Sequence, residues 1–496
     1  MTKFYITNAI PYVNASPHLG FALEVCLSDV ITRYYRQKGD DTFFLMGADE
    51  NSLKNVRAAE EIGIKTKDLV SKNTRLFIDL NKVLNISNDF FIRTSGKEHF
   101  DGAQKFWLSC KKGDIYKKTY SGLYCVGCEE YKKEGDLILE EIKEGEKIGF
   151  GCCPEHPKDK VEVVEEENYF FRLSKYQKQL EELISKDVIK ITPSSRKNEV
   201  LNFIKQGLED FSISRSKERA RSWGVPVPGD EEQVIYVWFD ALINYITGLG
   251  YGVEGANYQK FWVENDRKLH VIGKGILKFH AVYWPAMLLS AGVPLPTGIL
   301  VHGYITINGK KISKSLGNII DPFETVKKYG RDATRYFLLR EIPTTEDGDF
   351  SYKKLEERYN SDLSNGIGNL VQRIAVMIEK YLSGKIPEGH TEVDRNPFDR
   401  HMEALELHKA LEYVWSELKG LDQYIEEEKP WELFKEKNPR LQEVLGNLTA
   451  SIKILNEMLA PFMPETSEKI EKIFEGKEIK VGKPLFPRLD GYNLEF

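Results

Sequence analysis

The alternation of apolar and polar positions divides the chain into a strand and helix part, a charged interruption, and a long helical part. Residues 3–9 (KFYITNA) form a short apolar run that predicts a strand. A loop bounded by Pro11 and Pro17 follows, and then Leu19, Ala22, Leu23, Cys26, Val30 and Tyr34 recur at helical spacing, predicting a helix from Leu19 to about Lys38. Residues 42–48 (TFFLMGA) predict a second buried strand, so the order is strand, helix, strand, the crossover unit of a parallel sheet. Right-handed crossover is expected. More helix and a strand near Asp89–Arg93 continue the pattern until about residue 113, where it breaks into short, charged, Gly-rich hairpin-like pieces. Residues 113–230 therefore read as an insertion. Alternation resumes at 234–239 (VIYVWF) and 269–273 (LHVIG), with a helix from about Ile276 to Ala291 and a strand near 299–307. From about residue 351 strand signals vanish and amphipathic helices dominate over 363–382, 401–427 and 440–459, which predicts a separate bundle. The expected organisation is one α/β sheet built from residues 1–112 and 231–320, split by the insertion, then a connecting region at 321–360 and a helical domain at 361–496.

Composition narrows this little. At 496 residues, 41% hydrophobic and 29% charged, the chain has ordinary globular usage and room for several cores, which excludes disordered and collagen-like classes. No apolar run approaches the ~20 residues of a membrane span, and Met1–Ile6 carries no signal-peptide hydrophobic region before Thr7 and Asn8. A cytoplasmic protein without a membrane partner is expected. The net charge of −6 leaves no global basic footprint, and residues 361–496 carry more acid than base, so any nucleic-acid partner must be recognised by a local face. Four of the six cysteines fall between Cys125 and Cys153, a clustering that points to metal in a reducing compartment.

Three constellations carry chemistry. Pro17-His18-Leu19-Gly20-Phe21 stands between a predicted strand and a helix start, where unpaired N–H groups and the helix dipole favour an anion and Gly20 allows close backbone approach. Taken alone, the triplet also fits a histidine that only caps the helix. Lys310-Lys311-Ile312-Ser313-Lys314-Ser315-Leu316-Gly317-Asn318 follows the Asn308-Gly309 turn, and such a loop can fold over a triphosphate, or be a solvated basic loop. Cys125-x2-Cys128 and Cys153-x2-His156 have the spacing of two knuckles that wrap four ligands around one Zn²⁺, with Cys152 as a competing ligand.

A His-x-Gly turn after the first strand, with a Lys-x-Ser-Lys-Ser loop after the last, resembles the class I aminoacyl-tRNA synthetases, whose signatures are written HIGH and KMSKS. Within that class the chain resembles the methionyl-tRNA synthetase family along nearly its whole length. The match runs through Ala9-Ile10-Pro11-Tyr12-Val13-Asn14, Val237-Trp238-Phe239-Asp240-Ala241, Phe279-His280-Ala281-Val282-Tyr283-Trp284-Pro285-Ala286-Met287 and Val301-His302-Gly303-Tyr304.

The resemblance implies a Rossmann-type catalytic domain, a zinc-bearing connective insertion and an all-α anticodon-binding domain. It implies ATP-dependent activation of L-methionine to methionyl-adenylate and transfer to tRNA(Met), by a monomer. It assigns ATP with Mg²⁺ to Pro17, His18, Gly20, Phe21, Gly273, Lys311, Ser313 and Lys314, with His18, Lys311, Lys314 and Arg215 acting on the reacting groups. The methionine pocket is expected from Ile10, Tyr12, Trp238, Tyr245, His280, Tyr283 and Trp284, with Asp49 beside the amino group. Each of these aromatics also reads as ordinary core. The physics suits a thioether, which is polarizable and prefers aromatic edges. Asp240 is a further, weaker candidate. The zinc, held by Cys125, Cys128, Cys153 and His156, is expected to be structural. Asn369 and Arg373, four apart on one helix face, and Trp431 after Pro430 match the positions with which the family reads its anticodon.

Three departures qualify the match. Phe21 replaces the second His of HIGH, Asn51-Ser52 stands where the family often has His-Gly, and Gly275 replaces an acidic residue near the pocket helix. A synthetase for another apolar amino acid would usually carry a larger editing insertion, because a hydrophobic pocket separates one methylene by only ~1–3 kcal/mol. A small nucleotidyltransferase would not need the helical bundle. A non-catalytic RNA-binding derivative of a synthetase is a third rival, left open by Phe21 and Gly275, although the departures question details of nucleotide binding and not the family resemblance.

Overall fold

The computed structural model describes residues 1–125, 130–133, 135, 137–138, 151–154, 156–253, 255–311, 319–479 and 481–489, with the backbone alone at 156–160 and 311. The chain forms two compact units. One comprises Met1–Ser16, Asp41–Asp79 and Asn88–Val301, the other Pro17–Asp40, Leu80–Ser87 and His302–Phe496.

The first unit is organised by a six-stranded sheet. Strand β1 (Lys3–Asn8) pairs in parallel with β2 (Asp41–Ala48) on one side and with Lys268–Gly273 on the other. Beyond β2 lies β3 (Phe90–Arg93), also parallel, and beyond Lys268–Gly273 come Gly298–His302 and Lys190–Thr192. The near-continuous burial of β1 and of the second half of β2 is that of strands covered on both faces.

The insertion is built on an antiparallel pair, Ile115–Cys125 with Glu162–Phe171, flanked by Phe211–Ser212 and Glu130–Lys132. Two expectations need correction here. Lys190–Thr192, inside the predicted insertion 113–230, is the edge of the parallel sheet; three residues around Ile191 are too few to show a periodicity. The predicted strand 234–239 ends at Ile235, lies in a small antiparallel sheet with Ser214–Ser216 and Pro226–Val227, and gives way to a helix at Val237–Leu242. An unbroken apolar run reads the same for a buried strand and a buried helix.

The second unit is mostly helical. Helix α1 (Leu19–Gln37) buries Ser28, Asp29 and Thr32 along with its apolar residues. The Asp29 carboxylate accepts from the Ser87 N–H and hydroxyl, both at 2.7 Å, and from Arg33 Nε and Arg335 Nη2, both at 2.8 Å. Arg335, fully buried on helix Arg331–Glu341, also donates to the carbonyls of Leu84, Pro461 and Phe462. Burial opposes ionisation of Asp29, but the two guanidiniums and Ser87 outweigh it and hold its pKa below the usual value. One network thus joins α1, the 80–87 segment and the carboxyl-terminal helices.

The bundle continues with Asn369–Leu382, Leu407–Glu428, Arg440–Leu459 and Pro464–Phe474. The helix predicted over 401–427 is interrupted between Glu403 and Leu407, where Leu405 takes a φ of 60°. The strand predicted over 299–307 is also two elements, since Ile305–Ile307 leaves the parallel sheet to pair with Lys310–Lys311 and Gly348–Phe350. Among the described residues no helix is long and apolar enough to cross a membrane.

Candidate active site

At the carboxyl ends of β1 and β2 the chain forms a single parallel bridge between Tyr12 and Asp49, where open parallel sheets bind ligands. The Asp49 backbone N–H donates to the Pro11 carbonyl at 2.9 Å. Ile10 packs against Gly47 so closely that a Cβ there would meet its Cγ2 at 2.9 Å. Tyr12 meets Trp238 edge-on at 6.4 Å, and Trp238 stacks flat on Phe279 at 3.7 Å, which in turn meets Tyr283 edge-on at 5.2 Å. Next to Phe279, His280 is joined by its Nε2 to the Tyr245 hydroxyl at 2.7 Å, and Tyr245 meets Trp284 at 6.2 Å. The structure therefore gathers Tyr12, Asp49, Trp238, Tyr245, His280, Tyr283 and Trp284 in one cluster, with Trp284 at its fully buried end.

Hydrogen bonding fixes the charge of that cluster. His280 Nδ1 faces the Ile276 carbonyl at 2.9 Å and must donate, so Nε2 accepts from Tyr245. His270 is arranged likewise: Trp284 Nε1 donates to its Nε2 at 3.3 Å, and its Nδ1 donates to Thr7 Oγ1 at 2.7 Å. Both imidazoles are neutral. Burial pushes the His280 pKa down to about 4 and that of His270 well below its ordinary value. The cluster thus presents polarizable rings and two neutral imidazoles.

Sequence reasoning named Asp240 and Asn51 but missed Glu50, His99 and the hydrogen bonds that join these buried polar residues beneath the cluster. Glu50, fully buried, accepts from Arg93 Nε at 2.8 Å, from Thr74 Oγ1 at 2.6 Å and from the Ser95 hydroxyl. Asp240 is held by His99 Nε2 and by Asn51 Nδ2, each at 2.8 Å. The Asn51 backbone N–H reaches Asp49 Oδ1 at 3.3 Å. The departure at Asn51 thus sits between Asp49 and Asp240 as a working hydrogen-bonding group. A lone His99 in a helix offered no sequence signal; Phe279 was present in a quoted motif but not assigned.

Arg215, on the strand Ser214–Ser216, is buried, and its Nη1 donates to Ser212 Oγ at 2.8 Å and to the Ser214 carbonyl at 2.7 Å. It lines a cleft of about 630 Å³ together with Tyr236, Lys278 and Tyr283. Gly273 ends the strand Lys268–Gly273 and starts the turn through Gly275.

In the second unit, His18 is the N-cap of α1. Its Nδ1 accepts from the Gly20 N–H at 3.1 Å, which leaves the proton on Nε2 as an outward donor, and desolvation lowers its pKa while Glu24 pulls the other way. Capping and phosphate donation are thus compatible roles. Phe21 is buried in the helix face. The hairpin that leads to the Lys-rich loop turns at Asn308 and Gly309, with φ of 50° and 74°, a pair of positive values typical of a two-residue hairpin turn. Asp349 Oδ1 anchors it from Gly309 N at 2.6 Å and Thr306 Oγ1 at 2.7 Å. His302 Nε2 meets Glu24 Oε2 at 2.9 Å, a tie to α1 that the sequence did not reveal. The side chain of Lys311, and Ser313 and Lys314 altogether, lie outside the described residues.

Farther along, the guanidinium of Arg373 lies 5.7 Å from the Trp431 ring and is held by Glu426 and Asp422, while Asn369 is exposed one turn earlier on the same helix. In the insertion, Cys125 and Cys153 are buried in one small cluster with Leu123 and Val161. Cys128 and the His156 side chain lie outside the described residues, and among those described no group of three metal-binding side chains forms.

A parallel sheet of this order, with a His-Leu-Gly helix start after its first strand and a Lys-rich hairpin loop after its last, defines a class I aminoacyl-tRNA synthetase. The family profile described as "tRNA synthetases class I (M)" matches residues 4–375. Methionine–tRNA ligase from Thermotoga maritima is 42% identical over 98% of this chain and 80% of its own length, and that from Brucella suis is 40% identical over 98% of both. A solved Mycobacterium tuberculosis methionyl-tRNA synthetase in complex with methionyl-adenylate superposes with a TM-score of 0.91 at 36% identity, covering 98% of this chain and all of the other. The chain belongs to the methionyl-tRNA synthetase family.

Proposed function

We propose that this chain activates methionine with ATP and transfers it to tRNA(Met). The observation that carries the reading is the neutral aromatic cluster around Tyr245 and His280, with Asp49 at the adjoining strand ends, in a chain of this family. Asp49 takes the methionine ammonium, and Ile10, Tyr12, Trp238, Tyr245, His280, Tyr283 and Trp284 enclose the thioether. A methionine carboxylate oxygen attacks the α-phosphorus; the bond to the bridging oxygen breaks, and pyrophosphate leaves with its electron pair. A ribose hydroxyl of the terminal adenosine then attacks the acyl carbon, and AMP leaves.

His18 donates from Nε2 to a phosphate oxygen, with Pro17, Gly20, Phe21 and Gly273 shaping the nucleotide site. Lys311, Ser313 and Lys314 meet the triphosphate, whose charge Mg²⁺ shares when bound, and Arg215 faces the reacting groups. Positioning and charge neutralisation are the work of the protein in such a transfer. Cys125, Cys128, Cys153 and His156 would hold a structural zinc that stabilises the insertion. Asn369, Arg373 and Trp431 read the anticodon by edge contacts and stacking. The protein is proposed to work as a cytoplasmic monomer.

The test is exchange of labelled pyrophosphate into ATP by the purified chain, run with each of the twenty amino acids and without tRNA. Exchange with methionine alone is expected. Exchange with a different amino acid overturns the pocket, and no exchange from folded, zinc-loaded protein overturns the catalytic reading in favour of an RNA-binding one.

A further inference from the structure

The first hairpin of the insertion packs two ring faces on Arg215. Tyr124 is the penultimate residue of the long strand Ile115–Cys125 and Tyr131 lies opposite it on Glu130–Lys132, in direct register, with their rings 5.2 Å apart. Directly opposed residues on paired strands present their side chains to the same face. Both rings face Arg215, whose guanidinium carbon lies 5.2 Å from the centroid of Tyr124 and 5.1 Å from that of Tyr131. Tyr236, at the join between the strand Asp230–Ile235 and the following helix, closes the third side at 4.2 Å. Three aromatic faces surround one buried cation and replace some of the hydration it has lost.

The hydrogen bonds sharpen the point. Arg215 Nη1 donates to Ser212 and Ser214, the Tyr124 hydroxyl is a further hydrogen-bond partner of the guanidinium, and Nε is buried with no partner among the described residues. Burial lowers the guanidinium pKa, but Tyr124, Tyr236 and Tyr131 outweigh it and the net shift is upward, so the charge is secure. A cation gripped by its faces, with Nε left over among the described residues, keeps a desolvated donor for an anion. The Tyr131 hydroxyl is also buried without a partner among the described residues, and its ring is the part that meets Arg215. Arg215, Tyr131 and Tyr236 line the same cleft as Tyr283.

We propose that Tyr131 is a positioning residue for adenylate formation, holding Arg215 by its ring face toward the reacting carboxylate and α-phosphate. This rests on the function proposed above. The insertion then contributes to the chemical step through an aromatic side chain, independently of any ligand it binds.

The experiment compares the full chain with Tyr131→Phe, Tyr131→Leu and Arg215→Lys, and with the Leu and Lys changes combined, in methionine-dependent pyrophosphate exchange. Tyr131→Leu keeps apolar bulk and removes the π face, and is expected to lower kcat about thirtyfold, the scale of a desolvated cation–π contact. The methionine KM should stay within about twofold, because uniform binding is untouched. Tyr131→Phe should match the unmodified chain, and Tyr131→Leu should have little further effect once Arg215 is Lys, which lacks the planar group. Unchanged kcat in Tyr131→Leu, loss of kcat in Tyr131→Phe, or full additivity with Arg215→Lys would overturn the proposal. If the unmodified chain shows no exchange with methionine, the function fails instead. The cage is then judged by whether the two substitutions couple in urea unfolding, with additive losses counting against it.

Discussion

Acid should weaken this protein through a histidine inside its buried aromatic cluster. His280 is held neutral, with a pKa of about 4 in the folded chain against an ordinary 6.5. Between those values the unfolded chain takes up a proton that the native state refuses, so stability is complete above the ordinary value and is lost as pH falls toward 4. At pH 5.0 the difference amounts to about 2 kcal/mol for this one group, from 1.36 kcal/mol per pKa unit and the fractions protonated in each state. The comparison to make is urea unfolding at pH 7.5 and 5.0, followed by tryptophan fluorescence, for the unmodified chain and for His280→Gln. Gln can still accept from the Tyr245 hydroxyl, and it does not titrate. Acidification should cost the unmodified chain about 2 kcal/mol more than the variant, while His270 titrates in both and largely cancels. Equal losses would refute the reasoning, because the proton taken up on unfolding would then belong to other groups.

Other outcomes follow from the remaining features. Arg335→Leu leaves the buried Asp29 with one guanidinium fewer and strips three carbonyls of their donor, and a loss of about 3–5 kcal/mol is expected in urea unfolding. Lys314→Ala should depress the rate of pyrophosphate exchange far more than it changes the methionine KM; the reverse split would remove Lys314 from the triphosphate. Trp431→Ala should raise the KM for tRNA and leave exchange intact, and a parallel fall in exchange would mean that Trp431 supports folding instead of base stacking.

Much of the catalytic unit was legible because its chemistry is local in sequence. The strand, helix, strand opening emerged within a residue or two of the observed bounds, since β1 and β2 are apolar runs and α1 keeps one periodic face. The Asn308-Gly309 turn was equally plain, for few other pairs accept two positive φ values. What escaped notice was held by long-range pairing. Ile191 joins the parallel sheet from inside the insertion, and nothing in three residues announces it. His99 becomes a partner of Asp240 across 141 positions, and Arg335 reaches Asp29 only once the helices have packed. The role of a single-residue departure was hidden for the same reason. Asn51 looked like the loss of a histidine, whereas in the fold its amide bridges to Asp240 while its backbone serves Asp49.

The composition of the two units also sets a schedule for synthesis. Helix α1 is made among the first forty residues, yet the Arg335 that neutralises its Asp29 lies about three hundred residues downstream. At ~5–20 residues per second a ribosome needs roughly 15–60 s to deliver that partner. For that interval a helix built to bury a carboxylate has no unit to join, and it must be sheltered or stay unformed. The order in which this protein is made is therefore not the order in which it can fold, and its amino-terminal helix is where a nascent chain would need a chaperone.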